Sequence, residues 1–175
     1  MGEMTAMLAV FDAGPLITAC KFEADAQLAI DHILSVCRVV IVPSVEEEVA
    51  VLGAAYADGR AAAERIVANR IDVVAVASRQ YTQHLAGYAL GDGECDSIEL
   101  CSQLGAEALV LDDYLAFIAA ARLGLSTMML PDLIVRLAEQ KLLSVRVAES
   151  ILGAIKARYR KGVVEHSLMA LREVS

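Results

Sequence analysis

Residues 108–116 read ALVLDDYLA: an apolar run, Ala108–Leu111, leads straight into Asp112 and Asp113, and apolar residues then resume. Two adjacent carboxylates repel each other and both resist burial, so their place at the end of an apolar run needs a reason. An Asp that precedes a helix accepts the free N–H groups of the first turn and suits the helix dipole. Helix capping therefore explains one of the two aspartates well and the pair only weakly.

Outward from this stretch, short apolar runs alternate with segments of helical periodicity. Strands are predicted at Met7–Phe11, Val39–Val42, Ile71–Ala77, Ala108–Leu111 and Leu125–Leu130. Helices are predicted at Asp25–Cys37, after Pro43, at Asp58–Ala68, Glu94–Leu104 and Asp113–Leu123, and then at about 131–142, 144–160 and 163–174. Fully apolar strands that alternate with helices are typical of a parallel sheet covered on both faces.

We therefore expect an α/β fold with three layers, α/β/α, around a parallel central sheet of four to five strands. Residues 1–130 are predicted to form this domain. Residues 131–175 read as helical throughout, and they are predicted to form a C-terminal helical extension packed on the same domain.

The composition is that of one domain without a membrane segment. The chain has 175 residues, 57% of them hydrophobic, and its mean hydropathy is +0.54. This length suits a single domain with a full-sized core. No apolar run reaches the roughly 18 residues that a membrane helix needs, and no basic segment precedes the first apolar run as in a signal peptide. We expect a cytoplasmic protein with no membrane association.

The cysteines and histidines do not form a metal-binding pattern. No two cysteines are spaced as CxxC, and no histidine lies at zinc-ligand spacing from them. Buried free thiols are predicted for Cys20, Cys37, Cys95 and Cys101, which lie in or beside apolar stretches. Unpaired cysteines agree with a reducing compartment. The histidines are predicted to be ordinary surface or helix residues: His32, His84 and His166.

Charge is distributed unevenly along the chain. The formal net charge is −8 and the pI is about 4.8, so bulk electrostatics does not indicate a nucleic-acid binder. Between Arg136 and Lys161, however, seven basic residues face only Glu139 and Glu149, while the other acids lie mostly in the first 113 residues. The chain has an acidic body and a basic segment near its end.

Acidic residues directly follow two of the predicted strands. Asp12 comes after the first strand, and the pair Asp112 and Asp113 comes after the fourth. In open parallel sheets, sites lie outside the carboxyl ends of the strands. Both sets of carboxylates should therefore lie at the same edge of one sheet.

Two predicted helices carry further candidate carboxylates. After Pro43 the chain reads VEEEV, and Glu48 borders the stripe that Val45, Val49 and Leu52 form on the helical wheel. In GDGECDSIEL, residues 91–100, Glu94 shares a face with the apolar positions four and seven residues later. A carboxylate on an apolar face is unusual unless it has a partner. Asp96 lies on another side of this helix and also reads as a solvated acid of the first turn.

Three to five carboxylates at one sheet edge would repel each other, and a divalent cation removes that repulsion. Mg²⁺ and Mn²⁺ prefer oxygen ligands, and such sites commonly serve phosphate chemistry. The sequence contains no GxxxxGK[ST] loop, no GxGxxG after the first strand and no GxSxG elbow.

Four stretches occur in an order and spacing that resemble the PIN-domain superfamily of metal-dependent ribonucleases. They are VFDAGPLI after the first strand, VPSVEEEV and GDGECDSIELC at two helix starts, and LVLDDYLA after the fourth strand. The resemblance covers roughly residues 7 to 130. It is closest to a prokaryotic branch near the toxin components of toxin–antitoxin systems.

The resemblance implies a set of metal-binding and catalytic acids. Its first three acids match Asp12, Glu48 (with Glu47 as the alternative) and Glu94. Asp96 is a further candidate ligand beside Glu94. The fourth acid falls on the doublet, where the alignment favours Asp113 over Asp112. The family often has a small hydroxyl residue two positions after the first Asp, where this chain has Gly14.

By resemblance, these acids would hold Mg²⁺ or Mn²⁺ and the protein would hydrolyse phosphodiester bonds of an RNA substrate. An antitoxin protein is an expected partner. The stretch KARYRK at residues 156–161 offers cations for phosphates and a ring for base stacking, although it also reads as a solvated basic helix end. Its candidate RNA-binding residues are Lys156, Arg158, Tyr159, Arg160 and Lys161.

Two other functions compete with this interpretation. A non-catalytic module of the same fold that binds a partner protein or RNA would also be acidic and could lack the usual hydroxyl at Gly14. A haloacid-dehalogenase-like phosphatase would need a second Asp at that position and a nearby lysine, yet Lys21 is the only lysine before residue 141. The high apolar fraction further predicts that the chain forms a homodimer.

Overall fold

A five-stranded parallel sheet lies at the centre of the protein in the computed structural model, which describes residues 6–174. In chain order the strands are β1 Met7–Phe11, β2 Glu23–Ala24, β3 Gln27–Leu28, β4 Cys37–Ile41, β5 Ile71–Val73, β6 Ala108–Val110 and β7 Thr127–Met128. The sheet order is β5-β4-β1-β6-β7, and all four neighbouring pairs are parallel. Strands β2 and β3 form a separate antiparallel hairpin.

Helices surround the sheet and give the three-layer α/β/α arrangement. They are α1 Ala13–Lys21, α2 Ala29–Leu34, α3 Pro43–Glu46, α4 Ala57–Val67, α5 Thr82–Leu85, α6 Asp92–Leu104, α7 Tyr114–Arg122, α8 Leu130–Glu139, α9 Val145–Ile155 and α10 Lys161–Glu173. Helix α6 packs on β1 and β6, whereas α1 packs against α2 and α4. The fold class predicted from the sequence is confirmed. Among the described residues, no helix is long and apolar enough to cross a membrane.

The central strands are buried because helices cover both of their faces. Ala9, Val10 and Phe11 of β1 have no exposed surface, and neither do the three residues of β6. Each buried aliphatic side chain stabilises the fold by roughly 1.5–3 kcal/mol relative to exposure. These strands therefore hold the residues that follow them, including the carboxylates of the doublet, in fixed positions.

The predicted helix Asp25–Cys37 is wrong over its first four and its last three residues, since α2 ends at Leu34 and Cys37 begins β4. Asp25 and Ala26 have positive φ angles of 51° and 62° and form the turn of the β2–β3 hairpin. The helix begins only at Ala29. Helical spacing of apolar residues therefore indicated α2, but it could not show that the preceding polar residues adopt left-handed turn conformations.

The edge strands are shorter than their apolar runs predict. Strand β5 covers Ile71–Val73 because its neighbour β4 ends at Ile41, which pairs with Val73. Val74 still donates one hydrogen bond to the Ile41 carbonyl, at 2.9 Å, and the extended ladder ends there. A strand at the edge of a sheet has one neighbour only, so its length follows that neighbour and not its own hydropathy.

The segment after Pro43 departs from regular α-helix. Helix α3 continues into a π-helical turn at Glu47–Val51 and then a 3-10 turn at Leu52–Ala55. Because the π turn shifts the helical register, Leu52 is 71% exposed and does not share the buried face of Val45 and Val49. The predicted three-residue apolar face is wrong for Leu52. π-Helical turns of this kind occur often at functional sites.

Gly59 permits close contact between α4 and this irregular segment. A Cβ built on Gly59 would lie 2.1 Å from the carbonyl oxygen of Gly53 and 2.7 Å from that of Val49. No side chain can occupy that space without moving backbone. A glycine at this position of α4 is therefore a packing requirement for the segment that carries Glu47 and Glu48.

The last three helices pack on one another and on the rest of the domain. Helix α8 contacts β6, α9 and α10, and α9 contacts the β2–β3 hairpin. There Asp25 accepts a hydrogen bond from Ser150 at 3.1 Å and pairs with Arg146 at 3.2 Å. The chain between α9 and α10 then reaches Asp112, the residue two positions beyond β6. The division at residue 130 stays a prediction about chain organisation.

The prediction of free cysteines is confirmed. All four cysteines are unpaired, and all but Cys95, which is half-buried, are buried. Burial raises the pKa of the Cys20 and Cys37 thiols to about 12. At neutral pH these two groups are therefore protonated and poorly reactive.

Candidate metal centre

Asp12 lies at the carboxyl end of β1, next to the end of β6. Its backbone N–H donates to the carbonyl of Val110 at 3.1 Å, which extends the β1–β6 pairing by one residue. Its side chain is only 7% exposed. Burial, and then the negative charges of Glu94, Glu48 and Asp112, raise the pKa of Asp12 to about 7, although the N–H of Ala13 acts in the opposite direction. Near neutral pH this carboxyl group is about half protonated.

A cavity of about 250 Å³ opens beside Asp12. Of the residues that the structure describes, six with acidic side chains line it and none with a basic side chain does: Asp12, Glu48, Asp92, Glu94, Asp112 and Asp113. These acids come from the ends of β1 and β6, from the irregular segment after α3 and from the start of α6. We call this group the acidic cavity. Parallel topology explains why residues so far apart in sequence meet here, as the positions of the acids after the strands predicted.

The irregular segment after α3 places Glu48 in the acidic cavity. Glu47 is also exposed but is not among the lining residues. No hydrogen bond or ion pair to the Glu48 side chain is formed within residues 6–174, and its charge helps to raise the pKa of Asp12. Between the two alternatives that the sequence left open, the structure brings Glu48 to Asp12.

The start of α6 contributes two acids. Glu94 lines the acidic cavity, but its Oε2 also accepts a hydrogen bond from the backbone N–H of Gly91 at 2.5 Å, which is the N3 half of a capping box, since the glycine has no side chain to form the other half. Asp92 lies in the first turn and was not a candidate in the sequence analysis. The signal that could have found it is the stretch GDGE, in which one helix start presents two acids separated by a glycine.

Asp96 does not reach the acidic cavity. Its carboxylate pairs with Arg79 at 2.6 Å and accepts a hydrogen bond from the hydroxyl of Ser44 at 3.3 Å. The residue lies on a different side of α6 from Glu94, where the polar chain before the helix supplies the arginine. The structure therefore separates this candidate from the other five.

Asp112 and Asp113 have different environments despite being adjacent. Asp112 is half-buried, and burial raises its pKa while a hydrogen bond from Tyr159 and the charge of Arg158 lower it. Asp113 is exposed and caps α7, where its Oδ1 accepts from the N–H of Ala116 at 2.8 Å. Only Asp112 contributes to the raised pKa of Asp12. One aspartate is thus the helix cap and the other faces the first strand.

Tyr159 holds Asp112 from the opposite end of the chain. Its phenolic O–H lies 3.1 Å and 3.2 Å from the two carboxylate oxygens of Asp112 and donates to them. Arg158 donates to the hydroxyl of Thr18 at 3.4 Å. The sequence predicted base stacking for Tyr159, and 47 residues separate it from Asp112, so no local pattern could reveal this contact. The other three candidates of the KARYRK stretch are exposed: Lys156, Arg160 and Lys161.

Gly14 leaves room for Asp112. A Cβ built on Gly14 would lie 3.2 Å from Oδ2 of Asp112, which is closer than ordinary van der Waals contact. The small hydroxyl side chain that the family often carries here would therefore need Asp112 to shift. The glycine and the Tyr159 contact act together on the position of the same carboxylate.

The acidic cavity offers oxygen donors that suit a hard divalent cation, but the donors are not gathered around one point. Among the described residues, no three His, Cys, Asp or Glu side chains are grouped closely enough to hold a metal ion. The bonds described above explain this, since Glu94 and Asp113 accept backbone N–H groups and Asp112 accepts from Tyr159. The donor set itself fits Mg²⁺ or Mn²⁺, which take carboxylate oxygens and water.

Comparison with known proteins gives one positive finding. A family model described as a PIN domain matches residues 8–173, almost the whole chain. The match includes the last three helices, which lie beyond the part of the chain where the sequence motifs occur. No curated protein matches the chain.

Proposed function

The chain belongs to the PIN-domain family, and we propose that it is a Mg²⁺- or Mn²⁺-dependent nuclease that hydrolyses RNA phosphodiester bonds. The observation that carries the proposal is the acidic cavity itself. Within residues 6–174, six carboxylates and no basic residue line one small cavity, and the most buried of the six, Asp12, has a pKa of about 7. Folding a chain with such mutual repulsion is costly, and a bound cation would offset that cost.

Four of the acids are the proposed cation ligands. They are Asp12 and the three carboxylates whose charges raise its pKa, Glu48, Glu94 and Asp112. Asp113 and Asp96 stay as further candidates, but a cap and an ion pair already engage their oxygens. The family alignment favoured Asp113, whereas the geometry supports Asp112.

A bound divalent cation would supply Lewis-acid activation of water and neutralise charge at the phosphorus. The chain's own residues perform the other tasks. Asp12 must lose its proton to bind a cation. Glu94 accepts the Gly91 N–H with Oε2, which leaves Oε1 to bind a cation. Tyr159, whose O–H lies within hydrogen-bond distance of both oxygens of Asp112, holds that carboxylate in position.

The proposal is tested by RNA cleavage with added Mn²⁺, comparing the wild type with Asp12→Asn. We expect the variant to lose at least about 100-fold in rate, because it removes the central anionic oxygen of the set. Asp132→Asn is the matched control, since Asp132 is an exposed acid of α8 outside the acidic cavity. Equal cleavage by wild type and Asp12→Asn would sink the proposal.

A second candidate function is a PIN-like module that binds a partner protein or RNA without catalysis. The observation that favours it is that the described carboxylates are not grouped to hold a metal. Calorimetric titration with Mn²⁺ separates the two proposals. Binding that is lost in Asp12→Asn supports the nuclease, and the absence of binding at millimolar Mn²⁺ supports the module.

We further propose a cytoplasmic homodimer that acts as the toxin of a toxin–antitoxin pair. Exposed apolar side chains on and after the irregular segment support self-association: Val51 is 54% exposed, Leu52 71% and Tyr56 68%. Light scattering at micromolar concentration tests the dimer, and a monomer mass would overturn it. A small reading frame directly beside the gene is the observation that would support an antitoxin.

A further inference from the structure

A second cavity, of about 690 Å³, is lined by Asp112 but not by Asp12. Asp112 lines both this cavity and the acidic cavity, so the two are adjacent. The walls of the second cavity come from the start of α7, from Met129 before α8, from the segment between α9 and α10 and from the first turn of α10. We call it the tyrosine–arginine cavity after Tyr114, Tyr159, Arg158 and Arg160, which line it.

The lining of this cavity combines two kinds of group that bind nucleotides. Tyr114 is 73% exposed although it is a large aromatic residue at the first position of a helix. Met129 and Val163 add apolar surface to the lining. An exposed aromatic ring beside apolar side chains offers a platform on which any base can stack, worth roughly 1–3 kcal/mol per base.

Charge in the tyrosine–arginine cavity is opposite to that of the acidic cavity. Arg158 and Arg160 line it, against the single carboxylate of Asp112, whose oxygens Tyr159 already bonds. Within residues 6–174, no carboxylate lies within ion-pair distance of the Arg160 guanidinium. A phosphate group repelled by six carboxylates in one cavity therefore finds cations immediately beside it.

From this juxtaposition we propose that the tyrosine–arginine cavity binds one nucleotide of a single-stranded nucleic acid, next to the phosphate that the acidic cavity acts on. The proposal rests on the proposed nuclease function and specifies its substrate: the strand must be unpaired, because a base inside a duplex cannot stack on Tyr114. A volume of about 690 Å³ falls in the range of sites that enclose small organic ligands.

The experiment measures binding without cleavage. The probe is a fluorescently labelled oligouridylate of about twelve nucleotides, with fluorescence anisotropy recorded in EDTA at low salt. Tyr114→Ala is expected to weaken binding about 5- to 100-fold, the cost of losing one stacked base. Arg160→Gln is expected to weaken binding and to reduce the slope of log affinity against log salt by about one.

Two control variants separate this site from general effects of mutation. Leu115→Ala alters the neighbouring residue of the same helix, which is 43% exposed and does not line the cavity. Lys141→Gln removes one exposed cation that lines neither cavity. Both controls should bind the probe as the wild type does. Equal losses in Leu115→Ala and Tyr114→Ala, or unchanged binding by both Tyr114→Ala and Arg160→Gln, would overturn the proposal.

Failure of this inference and failure of the nuclease proposal give different results. If the protein cleaves RNA with Mn²⁺ and Tyr114→Ala leaves KM unchanged, the nuclease proposal stands and the nucleotide-binding role of the tyrosine–arginine cavity is rejected. If both Tyr114→Ala and Arg160→Gln lose probe binding but the wild type does not cleave RNA, the nucleotide-binding role of the cavity stands and the nuclease proposal is rejected. An oligothymidylate of the same length is titrated in parallel. The probe that binds more tightly shows whether the cavity prefers RNA or DNA. A fully paired duplex that binds as tightly as the single strand would reject the cavity.

Discussion

The two sides of the acidic cavity differ in what their carboxylates contact. On the β1 side, Asp12 and Glu48 receive no hydrogen bond from another side chain in the described part of the chain. On the β6 side, Tyr159 bonds Asp112 and the Ala116 N–H bonds Asp113. The carboxylates of the first side are therefore destabilised by burial and mutual repulsion, whereas hydrogen bonds fix those of the second side. Removing a charge should therefore relieve the β1 side, whereas removing a partner should loosen the β6 side.

The largest expected effect is on the β1 side and depends on pH. The folded protein raises the pKa of Asp12 from 3.8 to about 7. Between these values the unfolded chain loses this proton while the folded chain keeps it, so stability falls as pH rises and the full cost is reached above pH 7. Over that span the cost is about 4 kcal/mol.

Asp12→Asn removes this titration and should gain stability relative to the wild type as pH rises. We expect the difference in unfolding free energy between the two proteins to grow by about 3 kcal/mol between about pH 4.5 and about pH 8. Urea denaturation in EDTA measures it, with Asp132→Asn as the parallel control. A difference that does not change with pH would show that Asp12 ionises normally.

Gly59 tests the backbone that carries Glu48, the other carboxylate on the β1 side. Gly59→Ala would place a methyl group 2.1 Å from the Gly53 carbonyl, so backbone must move. We expect a loss of about 2–3 kcal/mol in unfolding free energy, as for overpacked sites. Gly153→Ala in α9 is the matched control, because nothing lies within 4 Å of its added Cβ. Similar stabilities of both variants would contradict the close contact between α4 and the irregular segment.

The adjacent aspartates of the β6 side should differ in metal binding. Asp112→Asn is expected to weaken Mn²⁺ binding about tenfold or more, since Asp112 is the member that influences Asp12. Asp113→Asn should change it little, because Asn caps a helix about as well as Asp. Isothermal titration calorimetry of both variants measures this. A larger loss of Mn²⁺ affinity in Asp113→Asn than in Asp112→Asn would show that Asp113 is the metal ligand, as the family alignment favoured.

The smallest effect is expected from the partner of Asp112. Tyr159→Phe removes one hydrogen bond to a carboxylate and should cost about 1–2 kcal/mol in unfolding free energy. It should also raise the pKa of Asp112 further, because that bond stabilises the charged form. Carboxyl NMR titration reports the pKa and urea denaturation the stability. Tyr56→Phe, at an exposed tyrosine, is the control and should change neither.

Much of the fold could be predicted because its signals are local. The apolar runs of β1, β4 and β6 and the helical periodicity of α6 and α7 gave elements close to the observed ones. Asp12 was found because it follows a strand at the carboxyl edge of a parallel sheet. Glu48 and Glu94 were found because they lie beside apolar helix faces and match acids of the family resemblance. The sequence missed the hairpin at Asp25 and the π turn after α3, since both depend on backbone conformation more than on hydropathy.

The sequence by itself determined the α/β architecture, the edge at which the acids gather and the absence of a competing His or Cys metal pattern. These follow from periodicity, from parallel topology and from residue chemistry, which need no knowledge of distant contacts. Only the tertiary structure decided that Asp112 and not Asp113 faces Asp12, that Asp96 pairs with Arg79, and that Tyr159 returns from the last helices to bond the doublet. The physical reason is sequence separation. The residues around Asp112 and Tyr159 do not indicate a hydrogen bond between partners that are 47 positions apart.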